Sequence, residues 1–284
     1  MKPFGWQKQR KDEGPEIEAF LKAREPRCVA ACARYLHSPS AKKPAHEHLW
    51  TLRDRGGTLS ALLIHSRRSL LPVFNGNSHI PLPRFLNRFL GKMPIHAVQG
   101  LRTEVELLTN AMDLLGYSAA EDIDYDLMAL DREPVTAPNA GPGELILRRP
   151  GIMDIGNLYP LQAAYEQEEV LPRGVSFNPV SCRLTLEHII ARERILAAEL
   201  DGVIVGKVNT NAASFSCSQI GGIYVHPAYR GRGIATAMIA AFARDLIRDG
   251  RGITLFVKKR NAAARAIYRR VGFAATGDYR ISYY

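Results

Sequence analysis

The stretch from Gln219 to Phe273, QIGGIYVHPAYRGRGIATAMIAAFARDLIRDGRGITLFVKKRNAAARAIYRRVGF, decides how the rest of the chain is read. It opens on a short apolar run, Ile220 to Val225, broken by His226 and Pro227. A turn of glycine and arginine follows, Tyr229-Arg230-Gly231-Arg232-Gly233-Ile234-Ala235, and beyond it Ile234, Met238, Phe242 and Leu246 share one face of a helix running to Arg248. The pattern is a strand, an amide-rich turn and a helix start. Such a turn binds anions, because the first N–H groups of a helix have no internal partners and the helix dipole places partial positive charge there. Gly231 and Gly233 remove side chains that would hold a ligand off the backbone, and Arg230 and Arg232 add fixed charge suited to phosphate.

The nucleotide-binding fingerprints do not account for this turn. Gly233 is followed by Ile234-Ala235-Thr236, which completes neither GxGxxG nor GxxxxGK[ST]. Arg230-x-x-Gly233-x-Ala235 after an apolar strand instead resembles the acetyl-CoA signature of the GNAT N-acetyltransferases. The resemblance continues downstream through a strand at Ile253 to Val257 and the run Asn261-x-x-Ala264-x-x-x-Tyr268-x-x-x-Gly272-Phe273, similar to the second hallmark of that family.

The resemblance implies an α/β (α+β) fold, a mixed and mostly antiparallel twisted sheet flanked by helices, with acetyl-CoA as co-substrate and no metal. It implies that the backbone of Ile223, Tyr224 and Val225 pairs with the pantetheine arm and that an N–H there polarises the thioester carbonyl. By the same resemblance Arg230, Gly231, Arg232, Gly233, Ile234, Ala235 and Thr236 hold the pyrophosphate, while Asn261, Ala264 and Tyr268 carry the second motif. A tyrosine at the place of Tyr268 reaches the coenzyme sulfur in the family and can protonate the departing thiolate. Spacing alone reads Tyr268 differently, since Ala264, Ile267, Tyr268 and Val271 fall on one helical face and a core tyrosine fits there equally.

The sequence departs from the family pattern at the base. Many members carry a glutamate early on the strand before the turn; Gln219 stands here and cannot accept a proton. Glu168 and Glu169 are the candidates, because the segment after the domain's first helix commonly shapes the acceptor site in the family. A solvated cluster at a helix end is the competing reading. Lys258-Lys259-Arg260 reads as a solvated strand end, or as a contact to the coenzyme's 3′-phosphate or to a nucleic acid, and Arg265, Arg269 and Arg270 as the exposed side of the last helix.

The 284 residues, 46% hydrophobic, suit one large or two ordinary domains. Asp131 to Gly143, rich in proline, glycine and alanine, is the natural linker and sets the boundary near 140, giving domains 1–140 and 141–284. In the second, Leu145 to Leu147 starts a strand and Asp154 is placed to cap a helix with Ile155, Leu158 and Leu161 on its apolar face. A helical stretch at Leu184 to Arg194 follows, then strands Arg194 to Leu200 and Val203 to Asn209 joined by the hairpin signal Asp201-Gly202. Tyr279 to Tyr284 alternates as a last strand.

In the first, Pro15 to His37 is helical, with Pro26 opening a second helix. A hairpin spans Leu59 to His65 and Ser69 to Phe74, followed by a short helix Arg84 to Leu90, a strand Ile95 to Val98, a helix Thr103 to Leu115 and a strand Tyr125 to Leu130. This order echoes the C-terminal half. At the equivalent turn, Gln99-Gly100-Leu101-Arg102 has one glycine and no spaced Arg-x-x-Gly, so the N-terminal domain resembles a smaller, degenerate GNAT-like α/β domain without the cofactor turn.

Four scattered cysteines, Cys28, Cys32, Cys182 and Cys217, make neither a disulfide framework nor a CxxC zinc pair and are expected reduced. His46-Glu47-His48 is not HExxH, since Trp50 holds the closing position, and is expected in a surface loop. No apolar run approaches the ~20 residues of a membrane span, so a cytoplasmic protein without membrane partner is expected. The net charge of +10 suits an anionic coenzyme and would also serve nucleic acid. The expected activity is acetyl-CoA-dependent transfer to a primary amine of a small molecule or protein, by direct attack in a ternary complex. A sensor that binds acetyl-CoA with little turnover, and a nucleic-acid-associated acetyltransferase or adaptor, are the alternatives.

Overall fold

The computed structural model describes residues 5–36, 48–76, 80–135 and 144–284. Contacts gather the chain into two units, Met1–Leu127 with Thr276–Tyr284, and Met128–Ala275. The division thus falls ahead of the proline-rich segment, of which residues 136–143 lie outside the described residues.

The first unit begins with a two-residue strand β1 (Gln7–Lys8), α1 (Gly14–Lys22) and α2 (Val29–Leu36). Ile17, Phe20 and Leu21 are buried, as their spacing requires. Pro26 opens a 3-10 turn, Glu25–Arg27, and α2 starts only at Val29. The strands β2 (His48–Arg53), β3 (Leu59–Ser66) and β4 (Ser69–Phe74) form an antiparallel meander. His48, expected in a surface loop, begins β2; His46 and Glu47 lie outside the described residues. Between β3 and β4, Arg67 and Arg68 take φ of 48° and 63°, the left-handed values of a two-residue hairpin turn.

The unit continues through α3 (Pro83–Leu86), β5 (Ala97–Leu101), α4 (Arg102–Asp113) and β6 (Glu121–Leu130). The last strand of the chain, β12 (Ala274–Tyr283), pairs antiparallel with β5, so the order is β1-β2-β3-β4-β5-β12-β6. The C-terminal segment expected in the second domain therefore belongs from Thr276 onward to the first unit. Its alternation explains the placement: Tyr279 and Ile281 are buried, while Arg280 between them bonds to both carboxylate oxygens of Asp124.

The second unit runs β7 (Leu145–Arg148), α5 (Ile155–Tyr165), a π-helical turn Glu166–Val170, α6 (Pro179–Arg192), β8 (Ile195–Leu200), β9 (Val203–Ala213), β10 (Cys217–Val225), α7 (Ile234–Arg248), β11 (Gly252–Lys258) and α8 (Ala262–Val271). Its strands lie in the order β11-β10-β9-β8-β7, antiparallel except for β10 and β11, whose parallel pairing needs the crossover that α7 provides. The Asp201-Gly202 turn between β8 and β9 has φ of 50° and 80° at its two residues. Alternation along β8 feeds two cores. Leu196, Ala198 and Leu200 pack with Met238, Phe242 and Leu246 of α7, while Ile195 and Ala197 pack with Leu158, Leu161 and Leu186 of α5 and α6. The sheet is thereby covered by helices on both faces, a mixed and mostly antiparallel arrangement.

Asp154 and the end of β9 depart from what the sequence predicts. Asp154 stands at the start of α5 without capping it; its carboxylate accepts two hydrogen bonds from Arg148 and one from the Gly151 N–H, which together hold it down to about 2. And β9 does not end at Asn209 to Asn211 but continues to Ala213, because Ser218 and Gln219 of β10 pair with Ala213 and Ala212.

Candidate active site

The site begins where two strands part. β10 and β11 pair only at Cys217 with Gly252, Ser218 with Ile253 and Gln219 with Thr254, yet β10 continues to Val225 and β11 to Lys258. On its other side β10 stays on β9 through a bulge. Gly221 faces Asn209 and Tyr224 faces Lys207, so Gly222 and Ile223 stand opposite Val208 alone. Gly222 takes φ of 58°, which glycine adopts at no steric cost.

Past Val225 the chain enters the turn. Gly231 and Gly233 have φ of 78° and 80°, and Gly233 is the N-cap of α7 with no side chain to satisfy the first amides. The first helical bond runs from Ala237 N–H to Gly233 O at 3.0 Å, which leaves the amides of Ile234, Ala235 and Thr236 at the helix start for an anion. A Cβ built on Gly231 would meet nothing within 4 Å, so the backbone at Gly231 faces open space. Arg230, expected on phosphate, folds back instead. Its Nε donates to Val225 O at 3.0 Å, its Nη2 to Glu168 at 3.1 Å, and its guanidinium lies 5.1 Å from the Tyr224 ring centre. Arg232 sits over the Tyr229 ring at 5.3 Å.

The π-helical turn distributes three carboxylates to three different sets of partners, a geometry that recurs at functional sites. Glu168 accepts from the Tyr224 hydroxyl at 2.5 Å and from Arg230, and the Tyr224 and Arg230 donors hold its carboxyl below the ordinary range. Burial, reinforced by Glu168, pushes the Tyr224 phenol up to about 12. Glu169 accepts from Asn261 Nδ2 at 3.2 Å and pairs with Lys258 at 3.3 Å. Lys258 is only 5% exposed, so it is not the solvated strand end its neighbours suggest but a buried cation holding Glu169. Glu166 accepts from Gln162 Nε2 at 2.8 Å.

Asn261 joins this turn to the second motif. While its Nδ2 holds Glu169, its Oδ1 caps α8 by accepting from the Ala264 N–H at 3.0 Å. Tyr268, one helical turn beyond Ala264, is buried and packs against Phe273 with ring centres 6.1 Å apart. Burial first, then Tyr165 and Glu169, raise its phenol well above the ordinary value, so it stays protonated through the neutral range. The structure thus gathers Glu168, Tyr224 and Arg230 in one cluster and Glu169, Lys258 and Asn261 in another. Gln219 is buried in the paired part of β10.

Lys207 carries no motif in the sequence, yet it stands behind the bulge of β10. Its side chain is fully buried; Nζ donates to Asn209 Oδ1 at 3.0 Å and to Gly222 O at 2.8 Å, and lies 5.1 Å from the Tyr165 ring centre. Burial lowers the ammonium to about 7, against the pull of Glu166 and Cys182. The signal was present as Lys207 interrupting the apolar run Val203 to Val208, with Asn209 directly after it. Cys182, on α6, is buried beside Glu166 and pushed up to about 12. Among the described residues no group of three or more His, Cys, Asp or Glu is placed to hold a metal, and no helix is long and apolar enough to cross a membrane.

The parting strands, the bulge and the glycine turn on this sheet define a GNAT fold. Residues 161–273 match the family model described as Acetyltransferase (GNAT) family, and the second unit is a GNAT domain. Among solved structures, a Drosophila protein is similar over 99% of this chain and 99% of its own, with a TM-score of 0.69 at 14% identity. A GCN5-related N-acetyltransferase from Sphaerobacter thermophilus is similar over 97% of this chain and 93% of its own, with a TM-score of 0.57 at 21% identity. A tandem GNAT protein from the clavulanic acid biosynthesis pathway is similar over 98% of each chain, with a TM-score of 0.53 at 13% identity. These likenesses extend through both units, and at such identities they show the fold alone. Among curated proteins none matches the sequence.

The first unit differs at the corresponding turn. β5 passes directly into α4, and the first turn of that helix carries its own carboxyl, Glu104, which is buried and accepts from the Phe74 N–H at 2.9 Å. Arg102 at the helix start is paired with Glu106.

Proposed function

We propose that the second unit binds acetyl-CoA along the open edge of β10 and transfers its acetyl group to a primary amine by direct attack in a ternary complex. The observation that carries this reading is the parting of β10 from β11 beyond Gln219, in line with the uncapped amide turn at Gly231 to Thr236. The gap supplies an extended edge for an arm of amide groups, and the turn supplies donors for a pyrophosphate. Bound there, acetyl-CoA supplies an activated acyl group and a thiol leaving group.

The chain's own residues divide the remaining work. Ile223, Tyr224 and Val225 present the backbone edge, and the bulge at Gly222 and Ile223 provides an N–H for charge developing on the carbonyl oxygen. Arg230, Gly231, Arg232, Gly233, Ile234, Ala235 and Thr236 surround the phosphates, Arg230 contributing charge rather than free donors. Asn261 and Ala264 fix the start of α8, and Tyr268, held protonated by burial, gives its proton to the departing sulfur. Glu168 and Glu169 flank the amine. Glu168 is a weak base because Tyr224 and Arg230 stabilise its charged form, so it holds the incoming ammonium and passes the proton to water.

The acceptor is an amine on a small molecule or a protein. The test is thiol release from acetyl-CoA over a panel of primary amines, with calorimetry of acetyl-CoA alone. Amine-dependent release with 1:1 binding is expected, and failure to bind would overturn the reading. Gln219 in place of a strand carboxylate favours one second reading, a module that binds acetyl-CoA and turns it over little; binding without release across the panel would select it.

A further inference from the structure

Among the described residues Lys207 is the largest fully buried side chain, and the proposed acetyl transfer does not use it. Its surroundings are built rather than incidental. Lys207, Asn209 and Asn211 alternate along β9 and share the face turned to the bulge of β10. Asn209 Nδ2 donates to Asn211 Oδ1 at 3.1 Å, and Asn209 Oδ1 accepts from Lys207 Nζ at 3.0 Å. These side chains fill the space in front of the two glycines. A Cβ on Gly221 would stand 2.0 Å from Asn211 Nδ2, and one on Gly222 would stand 1.9 Å from Asn209 Oδ1 and 2.9 Å from Lys207 Nζ. The second acceptor of Lys207 is the carbonyl of Gly222 itself, at 2.8 Å.

That carbonyl belongs to the peptide unit whose N–H is carried by Ile223, in the part of β10 that the bulge takes out of register. A hydrogen bond to a peptide oxygen fixes the plane of the unit and draws electron density from its nitrogen, which makes the N–H on the other end a stronger donor. A cation as donor strengthens the effect. We infer that Lys207 is a positioning residue that aims and polarises the Gly222–Ile223 peptide, so that the Ile223 N–H is the donor to the acyl carbonyl oxygen. The inference rests on the acetyl-transfer reading of the site for its chemistry, and on the lock between β9 and β10 for its geometry.

The proton on Lys207 sets how strongly the peptide is polarised. The groups that face the amine are Glu166 from the π-helical turn, Cys182 from α6 and the Tyr165 ring from α5. Desolvation outweighs Glu166 and brings the ammonium to about 7, so the peptide passes from charged to neutral donor within the neutral range. No bond is made or broken by Lys207 in this role.

Two measurements decide it. In the wild-type protein, the Ile223 amide proton followed by NMR between pH 5.5 and 8.5 is expected to titrate with a midpoint near 7, moving downfield in acid. A flat Ile223 amide overturns the inference whether or not the protein turns over acetyl-CoA. In Lys207→Met, acetyl-CoA affinity is expected to stay within about threefold while thiol release falls about 10- to 100-fold and loses its pH step near 7. An unchanged rate or an unchanged pH profile overturns the inference. If wild type releases no thiol with any amine while its Ile223 amide titrates, the acetyl-transfer reading falls and the peptide lock stands.

Discussion

The buried amine has a consequence for stability that needs no substrate. Lys207 is fully buried, and burial takes its ammonium from an ordinary value of about 10.4 down to about 7. A base whose pKa falls on folding is protonated in the unfolded chain over a range where the folded chain is neutral. Between about 7 and 10.4 the unfolded state therefore binds more protons, so stability rises with pH and is lost as pH falls toward 7. Integrated from pH 7 to pH 9, the contribution is about 2 kcal/mol. Lys207→Met has no such term. At one pH its net effect mixes relief from amine desolvation with the loss of a donor for Gly222 O and Asn209 Oδ1, at about 1–3 kcal/mol for each unsatisfied group. The comparison across pH removes that ambiguity, because the other titrations are common to both proteins. Urea unfolding of both at pH 7 and pH 9 is expected to show wild type gaining about 2 kcal/mol on the variant. Parallel stabilities at the two pH values would refute the argument that the amine is neutralised by burial.

Tyr268→Phe keeps the buried ring and removes the proton donor, so thiol release should fall at least tenfold with acetyl-CoA affinity unchanged; equal turnover would leave Tyr268 a core residue. Gly222→Ala, which must fit a Cβ 1.9 Å from Asn209 Oδ1 at φ of 58°, should cost more than about 2 kcal/mol in chemical denaturation, whereas Gly231→Ala, with open space around it, should cost only the strain of its φ, about 1 kcal/mol. Glu104 of the first unit is pushed up to about 7 by burial, a raised acid whose stabilising neutral form is complete below about 4.3 and is lost as pH rises through 7. Glu104→Gln keeps the acceptor for the Phe74 N–H and should therefore match wild type near pH 4 and exceed it by up to about 3 kcal/mol at pH 8, measured by urea unfolding; a constant difference would refute the assignment.

The elements that sequence could deliver are those whose cause is local. The helix of Ile234 to Arg248 follows from spacing, the turns at Asp201-Gly202 and at Gly231 to Gly233 from residues that tolerate positive φ, and the order of strands around them from alternation. What it could not deliver depends on partners distant in the chain. Lys258 looks like the first residue of a solvated basic run, and only Glu169, brought to it by the π-helical turn, makes it a buried cation. β12 looks like the end of the second domain, and only its register with β5 assigns it to the first unit.

The same limit applies to proton transfer. Glu166, Glu168 and Glu169 are one residue type within one turn, yet that turn hands them to Gln162, to Tyr224 with Arg230, and to Asn261 with Lys258. For Glu168 the donors Tyr224 and Arg230 hold the carboxyl below the ordinary range, which residue type alone does not reveal. The carboxylate of Glu168 is held in its charged form, the phenol of Tyr268 in its neutral form, and Lys207, which no motif marks, has its ammonium lowered to about 7 behind the bulge. Environments that drive protonation apart in this way support the proposed assignment of Tyr268 as acid and Glu168 as the charge-holding group. The adjacent pair Gly221-Gly222 is the part of that arrangement written in the sequence, as the space that Asn211, Asn209 and Lys207 need in order to reach the β10 backbone.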